Sequence, residues 1–531
     1  MYVKDGDHPR HHKGKPFFRN TARKKAIYAR NVLTLKIKHK FGGNIASDIM
    51  GDATLKEKTS KGLFWGGASS FIQQLLNAAF GIYLARTLSP GDYGMVGVLT
   101  VFNLVVLTIQ DGGFVSALVN RKEIKHQDYN GVFWFSFFVS LACYVILFFC
   151  APLISGFFHQ PELVSICRCS FVGLLAAGLG TAPRAFLTKK LMFKEMAIVN
   201  IVTVVISGTV GVFLARNGFA YWALVAQALL MNILTTVGLW LYSTWRPTLH
   251  IDFRPVREML RYSIKLVITY VISNISNNIV TVILGRFYSP VKVGYYTQAN
   301  KWSIMGTSVL NSMISTVSQP VLATVVDDKE RQLRIFRKMV RFSAFIAFPA
   351  MLGLAFIAPE FIPVALGDKW AESIPLLQIL CIGGSVTPLT YNFTGLLLSR
   401  GKSGAFMVSN IFFSIFLVTS AFLCYPLGVI AMVIAIALIN IVWLFVWYLI
   451  VRVENAYTFG ELLMDLLPFL GISVLSMFVA WLITKGIHNA PLLLVSKIVI
   501  TALIYVALMK VSASVTYKEC IQFIKSRFSK I

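Results

Sequence analysis

The chain has 531 residues, of which 56% are hydrophobic and 14% charged, and its mean hydropathy is +0.68. Soluble globular chains are about 25% charged, so this composition excludes a soluble fold. The apolar residues form continuous runs of roughly 20, the length of a helix that crosses a bilayer. Continuous rather than alternating runs also exclude a membrane β-barrel. The composition therefore predicts an all-α polytopic membrane protein.

The chain is strongly basic, with 50 Lys and Arg against 23 Asp and Glu and a net charge of +27. In a soluble protein this balance would indicate nucleic acid as a partner. Here it indicates basic loops that set the topology and contact anionic lipids, and no nucleic acid is predicted. The seven cysteines lack the spacing of a zinc site, and no disulfide framework is predicted. No cofactor or metal is predicted either.

The chain begins with a basic segment, residues 1–61, which holds 15 Lys and Arg against five acids. It is predicted to be a disordered cytoplasmic tail, and a basic arm on the lipid surface is the alternative. Beyond it we predict about 14 spans, numbered in chain order: 62–84, 94–116, 131–152, 163–183, 196–215, 220–242, 262–284, 296–322, 342–365, 374–398, 405–424, 427–450, 467–485 and 491–511. The loop 323–341 has apolar residues at helical spacing, which predicts a helix on the inner leaflet.

The loop charges predict the orientation. With the tail in the cytoplasm, cytoplasmic loops and the C-terminal tail 512–531 carry 25 Lys and Arg, whereas the opposite side carries six. The positive-inside rule then places both termini in the cytoplasm. The external loops are too short to contain a catalytic domain, and no catalytic motif is found, so the chain is not predicted to be an enzyme.

An internal repeat joins the first and fourth external loops. Residues 84–94 and 284–294 share Leu, Arg, Ser, Pro and Gly at a constant offset of 200. The repeat unit is six spans, an even number, which predicts two lobes related by a pseudo-two-fold axis along the membrane normal. The expected domains are an N-lobe at 62–242, an inter-lobe linker at 243–261 and a C-lobe at 262–450. The last two spans, within 451–511, are expected to be peripheral.

Polar side chains recur along one face of spans 1, 7 and 8, with the spacing i, i+3, i+4, i+7 that defines a helical stripe. Such stripes face protein or a water-filled cavity rather than lipid, and hydrogen bonding between helices is the alternative. Basic residues inside or at the ends of spans are further candidates, with a position at the membrane interface as their alternative. The predicted substrate-binding residues are Lys301, Arg184, Lys265, Arg286, Asn274, Asn277, Asn278, Gln298, Gln73 and Asn77.

Acids are scarce inside the predicted spans, where Asp111 and Glu360 are the main examples. A cation transporter normally needs buried carboxylates. A cavity rich in Lys and Arg but poor in carboxylates instead suits an anionic substrate, and phosphate is the natural candidate.

Several motifs also carry a family resemblance: Leu84-Ala85-Arg86-Thr87-Leu88-Ser89-Pro90-Gly91-Asp92-Tyr93-Gly94, Asp111-Gly112-Gly113, Pro183-Arg184-Ala185-Phe186-Leu187, Phe193-Lys194 and Gly294-Tyr295-Tyr296. Over roughly 60–515 the chain resembles the polysaccharide and lipopolysaccharide flippases of the multidrug/oligosaccharidyl-lipid/polysaccharide transporter superfamily, and within them the colanic-acid-exporter branch. The N-terminal tail is unlike that family.

The resemblance implies 14 helices in two six-helix lobes around a central cavity. It also implies alternating-access transport of an undecaprenyl-pyrophosphate-linked oligosaccharide across the bacterial inner membrane, in concert with membrane lipids and the polysaccharide polymerase machinery. Rivals within the superfamily are a drug/cation antiporter and a peptidoglycan-precursor flippase, and a rival of another class is a membrane-embedded sugar ligase or polymerase. The sequence does not identify the sugar or a coupling ion such as H⁺ or Na⁺.

Overall fold

The structure, a computed structural model, describes residues 65, 69–121, 124–452, 457–512 and 517. The predicted basic tail, 1–61, lies outside this range. Every regular element in the described residues is helical. Eleven of these helices are long and apolar enough to cross a membrane, or twelve if the bent pair Val267–Asn277 and Ile279–Phe287 forms one span. The prediction of an all-α membrane protein is confirmed.

The helices fall into two halves and a terminal pair. The N-half comprises α1 (69–87, as far as it is described), α2 (Pro90–Gly97), α3 (Thr100–Asp111), α4 (Phe114–Asn120), α5 (His126–Phe158), α6 (Leu163–Leu179), α7 (Thr181–Lys189), α8 (Phe193–Arg216) and α9 (Tyr221–Tyr242). The C-half comprises α10 (Arg254–Asn277), α11 (Ile279–Phe287), α12 (Pro290–Ala323), α13 (Lys329–Ala365), α14 (Ser373–Gly384), α15 (Thr387–Ser399), α16 (Ser403–Cys424) and α17 (Val429–Arg452). The terminal pair is α18 (Phe459–Thr484) and α19 (Ala490–Val511).

Two of the predicted spans are too polar to count among the eleven or twelve membrane-crossing helices. Spans 1 and 8 correspond to α1 and to the 34-residue α12. Their glutamine, asparagine and serine side chains lower the mean hydropathy of both helices. A helix with such a stripe is compatible with a membrane only where neighbouring helices cover it. The total of 14 spans therefore remains a prediction.

Local sequence signals explain several breaks in the helices. Ser89 forms a capping box with Asp92, and Pro90 occupies the first turn, so α2 begins there. Gly112 and Gly113 have φ angles of 49° and 72°, a left-handed conformation that favours glycine, and they separate α3 from α4. The 44° bend between α10 and α11 lies at Asn278.

The loop before span 9 does not form a helix on the membrane surface. Residues Lys329–Ala365 make one continuous helix, α13. Phe336 and Val340, on its apolar face, are fully buried in a core that also holds residues of α15, α17 and α18. The prediction of an inner-leaflet surface helix is therefore wrong, because packing against neighbouring helices buries the face that was expected to contact lipid.

The cores of the two halves merge at one end of the bundle. We define this end, which carries residues 85–94 and 285–294, as the outer end, because the loop charges predict it to be external. There a single core joins Val98 and Phe158 of the N-half to Ile283, Trp302 and Trp370 of the C-half. Towards the opposite, inner end there are two separate cores. One is built on α4, α5 and α7 with the start of α10, and the other on α13, α15 and α17.

The terminal pair is fastened to α13 by ion pairs. Asp465 of α18 is fully buried and contacts Arg337 at 2.9 Å and Arg341 at 2.6 Å. Lys497 of α19 pairs with Glu360 at 2.7 Å. Both α18 and α19 therefore pack on the C-half through charged as well as apolar contacts.

Candidate functional site

A small cavity lies between the two halves. It has a volume of about 180 Å³, which is enough for several water molecules. Its walls come from α1, α2 and α9 of the N-half and from α12 of the C-half. The polar side chains that line it are Gln74, Asn77, Tyr93, Gln227 and Lys301. None of the lining residues is acidic.

Lys301 supplies the charge of this cavity. Its Nζ lies 2.7 Å from the position that a Cβ on Gly81 would occupy, so the ammonium group rests on the backbone of α1. No described residue forms an ion pair or a hydrogen bond with this lysine. An ammonium group removed from bulk water without a partner is costly. The arrangement therefore leaves Lys301 available to an anion that enters the cavity.

Buried polar groups lie near Lys301 on α2 and α12. Gln298, one helical turn before it, is 1% exposed, and the Tyr93 hydroxyl is its neighbour. No described residue forms a hydrogen bond of ordinary geometry with the Gln298 amide, the Tyr93 hydroxyl or the Trp302 indole nitrogen. Leaving such a group unsatisfied costs about 1–3 kcal/mol, and buried polar groups normally bind protein, water or ligand. Of these groups Tyr93 lines the cavity, where its hydroxyl can donate a hydrogen bond to a ligand beside the ammonium group.

Part of the polar stripe connects the two halves. Gln74 of α1 donates to the Ser308 hydroxyl at 3.0 Å, and Asn274 of α10 donates to the Thr108 hydroxyl at 2.8 Å. Asn278 donates to the Asn274 carbonyl within its own helix pair. These contacts are the interhelical hydrogen bonds that the alternative interpretation of the stripes describes. In this conformation Asn274 and Asn278 thus contact protein rather than the cavity.

The remaining predicted site residues lie apart from the cavity. Gln73 donates to Ser69 on the same helix, and Asn277 is exposed at the end of α10. Arg184 is exposed on α7. The side chain of Lys265 lies outside the described set.

Arg286 lies at the outer end, where it donates to the Phe157 carbonyl at 2.5 Å. Of the ten predicted residues, Lys301 and Asn77 thus line the cavity, and Gln298 lies one turn from Lys301 on α12 outside that lining.

Two residues that line the cavity were not predicted from the sequence. Gln227 lies on α9, which also carries Asn232, Thr235 and Thr236, and no polar residue stands three or four positions from it to form a stripe. Tyr93 belongs to the first external loop motif, which contains no periodic stripe of polar residues that would indicate a cavity. Gln74 was recognised as part of the stripe of span 1 but was not among the predicted binding residues.

Solved structures share this fold. Lipid II flippase MurJ in an inward closed conformation matches with a TM-score of 0.71 at 16% identity, covering 86% of this chain and 99% of that one. A multidrug resistance MATE family transporter of the MOP superfamily, inward-facing, matches with a TM-score of 0.57 at 16% identity, covering 72% and 94%. At these identities the matches show the fold alone.

Curated relatives are similar in sequence. Lipopolysaccharide biosynthesis protein WzxC of Escherichia coli is 26% identical over 68% of this chain and 73% of its own. Teichuronic acid biosynthesis protein TuaB of Bacillus subtilis is 24% identical, covering 67% and 71%. Succinoglycan biosynthesis transport protein ExoT of Rhizobium meliloti is 25% identical, covering 57% and 62%.

The family described as polysaccharide biosynthesis protein matches residues 83–375, more than half of the chain. Together with the fold and the curated relatives, this match confirms both the resemblance found in the sequence and the prediction of a transporter rather than an enzyme. The chain is a multi-span membrane transporter that belongs to the polysaccharide biosynthesis protein family.

Proposed function

We propose that the chain flips an undecaprenyl-pyrophosphate-linked oligosaccharide from the cytoplasmic to the periplasmic leaflet of the bacterial inner membrane, with both termini in the cytoplasm. The observation that carries this proposal is Lys301. It is an unpartnered ammonium group in a carboxylate-free cavity between the two halves. Membership of a polysaccharide biosynthesis family supports the sugar part of the assignment.

The physical problem that a flippase solves is desolvation. Moving a pyrophosphate through hydrocarbon unaided carries an idealised Born cost of tens of kcal/mol. Fixed donors along the path have to replace the lost water. Lys301 supplies the charge, and the Tyr93 hydroxyl, which lines the same cavity, supplies a further donor. A phosphate group accepts hydrogen bonds on several oxygens, so this donor set is complementary to it.

The cavity volume supports alternating access. Ligand sites usually have volumes of about 300–1,000 Å³, whereas this one has about 180 Å³. A phosphate group fits into that space, but an oligosaccharide does not, so the halves must separate to admit the sugar. The polyprenyl chain would stay in the bilayer while the headgroup passes between the halves. A polysaccharide polymerase would use the product on the periplasmic side.

The rival functions differ in the chemistry they need. A drug/cation antiporter needs a carboxylate in the cavity, and none of the lining residues is acidic. A peptidoglycan-precursor flippase needs the same cationic cavity, and the fold shared with Lipid II flippase MurJ is compatible with that function as well. The readout of the experiment below separates it from a polysaccharide flippase.

The test is a substitution series at Lys301, expressed in a strain that lacks the native gene. Lys301→Ala should reduce surface polysaccharide at normal protein abundance, with lipid-linked sugar accumulating on the inner leaflet. Lys301→Arg should retain much of the export because it keeps the charge. Lys301→Glu should export less than Lys301→Ala, because a carboxylate repels the anion. Lys485→Ala, which removes an exposed lysine in the loop between α18 and α19, is the matched control and should export normally.

Two results would contradict the proposal. Full export by Lys301→Glu would mean that the ammonium group does not contact the substrate. Lost cell growth with unchanged surface polysaccharide would favour the peptidoglycan-precursor alternative.

A further inference from the structure

The two copies of the repeated loop motif pack against each other at the outer end. A Cβ on Gly94 would lie 1.8 Å from the Pro290 carbonyl oxygen, and a Cβ on Gly294 would lie 1.9 Å from the Pro90 carbonyl oxygen. The contact is therefore reciprocal, because each glycine receives the first turn of the helix that the other copy begins. No larger residue fits in either position at this separation, since non-bonded carbon atoms prefer about 3.5–4.0 Å.

The motif also defines where those two helices begin. Ser89 accepts a hydrogen bond from the Asp92 backbone, and Ser289 accepts one from the Lys292 backbone. Pro90 and Pro290 occupy the first turns of α2 and α12. A serine cap followed by proline is the expected start of a helix. In both copies, then, the Ser-Pro pair places a helix N-terminus against the glycine of the other half.

The arginines of the motif cross between the halves in the same reciprocal way. Arg86 of the N-half donates to the carbonyls of Val364 and Ala365, the latter at 2.8 Å, at the C-terminus of α13. Arg286 of the C-half donates to the Phe157 carbonyl at the C-terminus of α5. Carbonyls in the last turn of a helix lack intrahelical partners and carry a partial negative charge, so they bind cations.

These contacts cover the cavity on its outer side. The Trp370 indole donates to the Ala85 carbonyl at 2.9 Å, and the Trp370 ring packs against Tyr93, with the centroids 5.3 Å apart. Tyr93 in turn lines the cavity that holds Lys301. The core at this end is shared by both halves, whereas the cores towards the inner end are separate.

We propose that the two motifs together form the outer gate of the transporter. The Arg, Ser, Pro and Gly identities recur because the same residues close the gate from both sides, and not because they bind substrate. A rigid rotation of one half moves both glycines away from the proline carbonyls and both arginines away from the carbonyls that they bind. The two copies of the motif therefore open together. This inference goes beyond the proposed function and holds for any substrate.

The first test locks the gate. A Cβ on Gly97 would lie 3.6 Å from the Thr297 Cβ, within the range of about 3.5–4.5 Å that a disulfide needs. The variant Gly97→Cys/Thr297→Cys, made in a background whose seven native cysteines are replaced by alanine, should form a disulfide under an oxidant. Export should stop and then return when a reductant is added. Each single-cysteine variant, treated identically, is the control and should keep exporting. Continued export by the fully oxidised double variant would overturn the proposal.

The second test loosens the gate and needs no substrate, so its result is independent of the proposed function. Met305, which lines the cavity, is replaced by cysteine and labelled from the periplasmic side with a membrane-impermeant maleimide. Gly94→Ala and Gly294→Ala should each raise the labelling rate by about tenfold or more, which corresponds to a shift of about 1.4 kcal/mol towards the open gate.

The matched control for the second test is Gly383→Ala. A Cβ there would lie 2.7 Å from the Ala437 Cα, also too close for a non-bonded carbon, in a backbone contact that lies within the C-half. It should leave labelling of the cavity cysteine unchanged. If the two gate variants are labelled no faster than the Gly383 variant, then the glycine contacts do not hold the outer end closed, and the proposal fails.

Discussion

The buried carboxylate of Asp465 should dominate the attachment of α18 to the rest of the protein. It is fully buried and accepts hydrogen bonds from Arg337 at 2.9 Å, from Arg341 at 2.6 Å and from the Tyr457 hydroxyl at 3.0 Å. We expect Asp465→Ala to lower stability strongly, because it leaves two guanidinium groups without their shared partner. Breaking a buried ion pair from one side costs about 3–5 kcal/mol.

The structure places the expected loss at the lower end of that range. Arg337 keeps a second partner, Glu461, and Arg341 has a side chain that is 36% exposed and therefore reaches solvent. A loss of about 3 kcal/mol corresponds to a fall in melting temperature of about 6–12 °C, at the roughly 2–4 °C per kcal/mol that large domains show. The measurement is thermal unfolding of the purified protein in detergent.

Glu258→Ala is the matched control for that measurement. Glu258 pairs with Arg121 at 2.8 Å, a similar distance, but its side chain is 71% exposed. Exposed ion pairs contribute about 0–1 kcal/mol, so the melting temperature should change by little. The reasoning would be refuted if both variants lost the same stability, because burial would then not decide the strength of these pairs.

Three further predictions concern other parts of the chain. Reporter fusions at residues 90 and 290 should be external, and fusions after Ile531 or within 243–253 should be cytoplasmic; a cytoplasmic signal at 290 would contradict both the 14-span topology and the parallel repeat. A variant that starts at Met50 should insert and export like the full chain, and lost export with normal insertion would assign a role to the basic tail. Glu360→Ala should lower the melting temperature because it leaves the buried Lys497 ammonium unpaired. The double variant Glu360→Leu/Lys497→Met removes both charges and should have a melting temperature close to that of the wild type. Equal losses in both variants would show that the unpaired charge does not cause the loss of stability.

Length and composition were sufficient to predict the class of fold. Apolar runs of about 20 residues have one stable form in a bilayer, since a helix satisfies every backbone hydrogen bond within the segment. The same argument made Lys301 a candidate, because a charge inside an apolar run is costly wherever it lies. The repeated loop could also be recognised in the sequence, because its five identities share one offset.

Only the tertiary structure decided what the repeated residues do. Arg286 was predicted to bind substrate, yet its guanidinium group binds the end of α5. That partner lies 129 residues away in sequence, and no local pattern reports a contact of that kind. Gly94 and Gly294 carry no side chain, and their role depends wholly on the backbone that approaches them.

The same limit applies to the polar stripes. Periodicity shows that one face of α1 avoids lipid, but a cavity and a neighbouring helix satisfy that requirement equally well. The structure places Asn77 at the cavity and its repeat counterpart Asn277 on an exposed surface. Gln227 completes the lining from α9, where no polar residue stands three or four positions from it. The sequence by itself thus determined the class of fold and the charge of the site. Helix packing decided which residues form the cavity and which close it, because it brings together residues more than 200 positions apart.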